Sequence, residues 1–296
     1  MRVGEREVSD QPFSTTAHDK CLDEAADAVR RRTGKTARPL AVIAGSGLVG
    51  LAQALSVEKR LEPVEIPHLP VPGAPGHQGW ILAGRLGPIG TIFFAGRAHL
   101  YEGWNARESV FAVELAARLG AKILLATNAT GGVNPELRPG NLVLLSDQIN
   151  LTFRPLAGRK RHPRDPASVH SCLGSPYDIE LSEKVREAAR NEKINLKDGI
   201  YGGMLGPTYE TRAESELLGR IGADVVGMST ISEILAARIA GLRVVCISCV
   251  ANMVPKWGSC STIAHAEVLD RVSAAVEQLK RLVVRWAEMI VHDANR

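Results

Sequence analysis

Apolar residues along this chain gather into short runs, and the stretches between the runs carry helical spacing. The runs LAVIA (40–44), WILAGRL (80–86), TIFFAG (91–96), KILLAT (122–127), NLVLLSD (141–147), ADVVGM (223–228) and LRVVCISCV (242–250) have the length and composition of buried strands. Ala, Leu, Ile and Val recurring among charged residues predict helices over about 18–33, 105–119, 180–192, 210–221, 231–240 and 262–290. LVGLAQAL, directly after the first run, reads as one more helix start. LGPIG, between the second and third runs, predicts a hairpin, so the sheet is mixed rather than purely parallel. This alternation is the signature of an α/β fold with a mixed central sheet and helices on both faces.

No repeat or linker interrupts the alternation. One α/β domain over 16–296 is expected, after a disordered tail at 1–15. FRPLAGRKRHPRDPASVHSCLGSPYD (153–178), Pro-rich and basic, predicts a large surface excursion. The net charge of +4 is spread along the chain apart from GRKRHPR (158–164), so nucleic acid is not an expected partner. No apolar run approaches the 18 or so residues of a membrane span, and no membrane partner is expected. Five cysteines, an odd number, in a chain that opens on the charged MRVGEREVSD suggest a reduced, cytoplasmic protein. Cys246 and Cys249 form C-x-x-C but lie within a strand-like run. Residues three apart in a strand point to opposite faces, so two small buried residues fit better than a metal or redox pair.

Chemistry concentrates where the strands end. The glycines at 45, 47 and 50 in AVIAGSGLVG fit G-x-G-x-x-G, a turn that presents backbone N–H groups to an anion. A dinucleotide site would also need an acid closing the second strand. Glu65 has the spacing but sits in the Pro-rich EPVEIPHLP, a poor buried strand. Ligands of open α/β sheets bind beyond the carboxyl ends of strands, and those ends read GSG, GRAHLYEG, TNATGG, GMST and VANM. Ser46, Arg97, His99 and Ser229, with backbone N–H groups of a TNATGG turn, would converge on a small dianion. Taken singly, Arg97 fits a surface ion pair and His99 a structural histidine. Their shared position after successive strands is what argues for a site.

GSGLVG, APGHQG (74–79), GRAHLYEGW (96–104), TNATGGVNP (127–135), GPTYETRAE (206–214), VGMSTISE (226–233) and Asn252, in that order, resemble the trimeric purine nucleoside phosphorylases of the 6-oxopurine type. The resemblance implies a phosphorylase/hydrolase-like fold, a homotrimer, and cleavage of a purine nucleoside by inorganic phosphate to free base and ribose 1-phosphate. Phosphate is then a co-substrate, and no metal or other cofactor is implied. It would rest on Ser46, His77, Arg97, His99, the Ala129 backbone and Ser229. The resemblance points to Glu210 and Asn252, with Tyr209 and Val226, for the base. A carboxylate at 210 accepts the N1–H of a 6-oxopurine, and an amide at 252 donates to N7 as the base departs. Tyr101, Met228 and His265 would form the sugar site, with His265 directed at the 5′-hydroxyl. The catalytic residues are then Asn252, His99 and Glu210. Segment 153–178 departs from the family pattern, leaving Phe153 and Tyr177 as candidates for an aromatic that reaches a neighbouring subunit. Gln148 replaces the usual His, and Val49 a usual Gly. A methylthioadenosine or adenosine phosphorylase and a non-catalytic nucleoside-binding protein are the alternatives.

Overall fold

The computed structural model describes residues 15–34, 36–74, 76–154, 174–255 and 265–291, with only the backbone described at 15, 16 and 265–274. In chain order the elements are α1 (Thr15–Thr33), β1 (Leu40–Ala44), β2 (Leu55–Leu61), β3 (Ile81–Leu86), β4 (Ile89–Ala95), α2 (Ala106–Ser109), α3 (Phe111–Arg118), β5 (Ile123–Gly132) and β6 (Leu142–Asn150). They continue with α4 (Ile179–Asn191), β7 (Leu196–Gly203), α5 (Arg212–Arg220), β8 (Val225–Gly227), α6 (Ile231–Ile239), β9 (Arg243–Met253) and α7 (His265–Met289). The tail expected at 1–15 falls outside the described residues but for its last, which opens α1; the basic run 158–164 lies outside them altogether.

The described strands form one nine-stranded mixed sheet, in the order β2-β3-β4-β1-β5-β8-β7-β6-β9, and β9 also pairs with β5. The second pairing closes β5, β8, β7, β6 and β9 into a ring, while β2, β3, β4 and β1 continue from β5 as an open sheet. Helices cover both faces. Leu181 and Val185 of α4 and Leu279, Val283 and Trp286 of α7 join one apolar core, and residues of α1, α3 and α6 join the other. Strand β9 shows the two-residue alternation directly: Val244 and Cys246 enter one core, Val245, Ile247 and Cys249 the other. Both cysteines of C-x-x-C are free and fully buried on opposite faces, as the spacing predicts.

Several elements differ from the sequence reading. LVGLAQAL forms a 3₁₀ turn over Val49–Ala54 and leads into β2, not into a longer helix. Ser56–Arg60 of β2 are exposed, because β2 is an edge strand antiparallel to β3, and such a strand carries no apolar alternation. β7 was equally hidden, since LKDGIYGG is rich in glycine, which is depleted from strands. The single helix expected over 105–119 breaks at Val110, and Asn105 caps its first piece by accepting from the N–H groups of Arg107 and Glu108. TNATGG is not a turn. It is the second half of β5, paired along its length with β9.

Candidate active site

The site lies where β5 outlasts its neighbour. β1 pairs with β5 only from Leu40 opposite Ile123 to Ile43 opposite Ala126, and β8 joins that edge at Gly131. Neither strand spans residues 127–130. Backbone groups of alternate residues face the same edge of a strand. The Thr127 carbonyl accepts from Arg97 Nη2 at 2.7 Å on this open edge, so the backbone of Ala129 faces it too. β1 meanwhile is followed at once by Gly45, where a Cβ would stand 2.8 Å from Asn128 Cα and from the Thr127 carbonyl oxygen. Only glycine lets the chain turn so close beneath β5.

The resulting cavity, about 140 Å³, is lined by Ser46, Arg97, His99, Tyr101, Ala129, Tyr209, Glu210, Val226, Met228, Ser229 and Asn252 among others. Of the residues expected in the site, only His77 and His265 are missing from this lining. His77 stands one contact behind it, with Nε2 2.7 Å from Ser46 Oγ. The side chain of His265 lies outside the described residues; its backbone opens α7.

The residues expected to hold phosphate are linked to one another by hydrogen bonds. Arg97, buried, donates from Nη1 to Ser229 Oγ at 3.0 Å and Thr230 Oγ1 at 3.2 Å, and its Nε lies 3.2 Å from Glu233 Oε1. Burial pushes the Glu233 carboxyl above its ordinary range, and Arg97 opposes that push. The Arg97 backbone N–H donates to His77 Nδ1 at 3.1 Å. His77 is held neutral at about 3, first by burial and then by the charges of His99 and Arg97. A neutral ring accepting at Nδ1 carries its proton on Nε2, so His77 donates to Ser46 Oγ and leaves the serine O–H free to point into the cavity. The seat depends on Gly96, at φ 113°, where a Cβ would approach His77 Nδ1 to 2.6 Å.

His99 is oriented by Glu102, whose Oε1 accepts from the His99 backbone N–H at 2.9 Å and lies 2.8 Å from its Nδ1. The other carboxylate oxygen accepts from the backbone of Gly73. Burial works against the Glu102 carboxylate, but the His99 side chain and the Gly73 and His99 N–H groups outweigh it and hold the group at about 2. The Nε2 side of His99 is left for a ligand, and the ring stacks on Tyr101 at 4.7 Å.

At the residues expected to contact the base, the helix predicted over 210–221 begins late. Thr211 caps α5 in a reciprocal box with Glu214, which leaves Tyr209 and Glu210 in the preceding loop. Glu210 retains 9 % of its surface and burial raises its pKa. Asn252 lies within β9, not after it, and turns Nδ2 to the Met253 carbonyl at 3.2 Å.

Sequence reasoning passed over Asn128, Thr230 and Glu233. All three are buried, and Asn128 Nδ2 donates to Thr230 Oγ1 at 2.8 Å. The lone acid in the apolar helix ISEILAARI was the available signal for Glu233. The two aromatic candidates separate: Tyr177 is buried with its hydroxyl 3.2 Å from Gln148 Oε1, whereas Phe153 is 86 % exposed. Among the described residues no His, Cys, Asp or Glu cluster is arranged to hold a metal ion, and no helix is long and apolar enough to cross a membrane.

This arrangement has relatives. The family model described as the phosphorylase superfamily matches residues 39–288. The purine nucleoside phosphorylase of Mycobacterium tuberculosis is 37% identical over 269 residues, covering 90% of this chain and 94% of the relative. The chain belongs to the purine nucleoside phosphorylases of the phosphorylase superfamily. Two solved structures of the Schistosoma enzyme each cover 91% of this chain and 96% of their own. The Schistosoma mansoni complex with adenosine matches at TM-score 0.83 and 29% identity, and the complex with hypoxanthine at 0.81 and 30%. Membership of this family makes the chain an enzyme and fixes its α/β class.

Proposed function

We propose that the enzyme cleaves the N-glycosidic bond of 6-oxopurine ribo- and deoxyribonucleosides with inorganic phosphate, releasing the free base and the sugar 1-phosphate. One observation carries the reading: a single cavity is lined both by an anion-binding set and by a carboxylate and an amide suited to a purine edge. Ser46, Arg97, His99, Ser229 and the Ala129 backbone hold phosphate, with His77 orienting Ser46. Glu210 accepts N1–H of the base, Asn252 donates to N7, and Tyr209 and Val226 flank the ring. Tyr101, Met228 and His265 serve the sugar.

Bond cleavage leaves positive charge on the sugar and negative charge on the departing purine. A phosphate held by fixed donors supplies the nucleophile and stabilises the sugar cation, and a hydrogen bond at N7 gains strength as the base leaves. Chemistry of this kind needs no metal or organic cofactor. A cytoplasmic homotrimer acting in purine salvage completes the proposal, and light scattering on the purified protein tests the assembly.

A broader base range is the second reading, and the adenosine-bound relative favours it. The deciding assay incubates the protein with inosine, guanosine or adenosine, with and without phosphate. Phosphate-dependent release of hypoxanthine and guanine with little adenine supports the proposal. Release without phosphate overturns it, and equal adenine release overturns its 6-oxopurine part.

A further inference from the structure

Thr230 is the most strained residue beside the cavity. Its φ of 75° and ψ of −49° put a β-branched side chain in a left-handed conformation, and the Ile231 N–H closes the turn onto the Ser229 carbonyl at 2.8 Å. Such a turn is rare and strained, so the surroundings must hold it. Tyr201 holds one side, with its hydroxyl 3.0 Å from the Ser229 carbonyl and 3.3 Å from the Ser229 N–H. Arg97 and Asn128 hold the other through Thr230 Oγ1.

Counting protons on this cluster gives it a direction. Thr230 Oγ1 has two lone pairs, and with the Asn128 amide turned so that Nδ2 faces it, they accept from Asn128 Nδ2 at 2.8 Å and Arg97 Nη1 at 3.2 Å. Its own proton therefore goes to its one remaining neighbour, Ser229 Oγ, 3.0 Å away. Ser229 Oγ also accepts from Arg97 Nη1 at 3.0 Å. Both lone pairs of Ser229 are then occupied, and among the described residues its O–H has no acceptor left, so it turns to the cavity that Ser229 lines. Reversing the Ser229–Thr230 bond would offer a third donor to Thr230 Oγ1 and strand its proton at a site only 2 % exposed.

We infer that Thr230 is a positioning residue: its strained turn and its hydroxyl fix the Ser229 O–H as a permanent donor to the bound anion. The inference rests on the phosphate reading of this cavity. With Ser46 oriented by His77 in the same sense, both serines meet the ligand as donors, a set that suits the unprotonated oxygens of an oxyanion.

Calorimetric binding of inorganic phosphate to wild type, Thr230→Val and Thr230→Ser tests it. Valine keeps the branched shape at 230 and removes the hydroxyl. Weakening of phosphate by about tenfold, the size of one charge-assisted hydrogen bond, is expected for Thr230→Val, with recovery in Thr230→Ser. KM for phosphate should rise in parallel while KM for the nucleoside moves less than about twofold, a split that general loss of structure would not give. Asn128→Leu, which takes away the donor that commits the Thr230 lone pair, should weaken phosphate as well and serves if Thr230→Val does not fold. Unchanged phosphate affinity in the folded variants overturns the inference alone. Failure of wild type to bind phosphate overturns it together with the proposed activity.

Discussion

Glu210→Gln changes one oxygen into an amide nitrogen and separates the two readings of base preference. In wild type the carboxylate is nearly buried and its pKa is raised by burial, so an N1–H donor replaces solvation that the group has already lost. A hydrogen bond to a charged group is worth about 1.5–3 kcal/mol, which corresponds to roughly a ten- to hundredfold loss in kcat/KM for inosine. Adenosine offers a bare N1 acceptor, to which the glutamine amide can donate, so its kcat/KM should hold steady or rise. The assay is phosphorolysis of both nucleosides at saturating phosphate, followed by the ratio of their kcat/KM values. A pH profile adds an independent check. The carboxylate must be ionised to accept N1–H, so the inosine kcat/KM of wild type should fall as pH drops through the raised Glu210 pKa, above the ordinary value of 4.5. This limb should be absent in Glu210→Gln. Equal losses for inosine and adenosine, or an acid limb that survives the substitution, would refute the role given to Glu210.

Asn252→Asp should move preference toward adenosine, and an unchanged inosine to adenosine rate ratio would count against a role for Asn252 at N7. Arg97→Met leaves the buried Glu233 charge without its partner and should cost about 3–5 kcal/mol, while adding Glu233→Gln should recover part of that loss in thermal melts. Glu233 has a folded pKa above its unfolded one, so its contribution is fully present below 4.5 and is lost as pH rises through the folded value. Loss of Arg97 lifts that folded value further, and the melting deficit of the single variant should shrink toward acid; a deficit independent of pH would sink the argument. Gly96→Ala should raise KM for phosphate on the order of tenfold through the displaced His77, with strain of about 1–3 kcal/mol at its positive φ, and a KM like that of wild type would show His77 to be dispensable.

The sequence carried the site better than it carried the sheet. Ser46, Arg97, His99 and Ser229 were legible because strand ends are where α/β sheets bind ligands, whereas Asn252 came from the family resemblance and lies inside β9. Glu210 and Met228 needed the family resemblance, since neither a loop glutamate nor a methionine among apolar neighbours announces a ligand. β2 and β7 were illegible for opposite reasons: one is polar because it is an exposed edge, the other glycine-rich because its neighbours press on it. At Gly203 a Cβ would lie 2.3 Å from Ile231 Cγ1, so packing there removes the side chains that normally signal a strand. Asn128, Thr230 and Glu233 were missed because their contacts depend on one another. Glu233 alone stands out, as an acid in an apolar helix, and only the fold brings a β5 amide, the Thr230 hydroxyl and an α6 carboxylate together beside the Arg97 guanidinium.

Mistaking TNATGG for a turn hides the physical origin of the crevice. A turn would make its N–H groups available by bending the chain. β5 instead stays extended, holds β9 on one edge through Met253, and gains free backbone on the other because β1 stops opposite Ala126 and β8 starts opposite Gly131. The gap between those two partners, residues 127–130, is a length of strand edge that the sheet leaves uncovered within its own interior. Unpaired edge groups at such a depth must find partners, and Arg97 satisfies the Thr127 carbonyl. Ala129 has the same orientation, which is why an anion placed there completes the sheet's hydrogen bonding as well as its own. Gly131 and Gly132 lie at the far side of the gap: a Cβ there would lie 3.0 Å from Val254 Cγ1 or 2.7 Å from Met253 Sδ, so any larger residue would have to displace these side chains where β5 is flanked by β8 and β9.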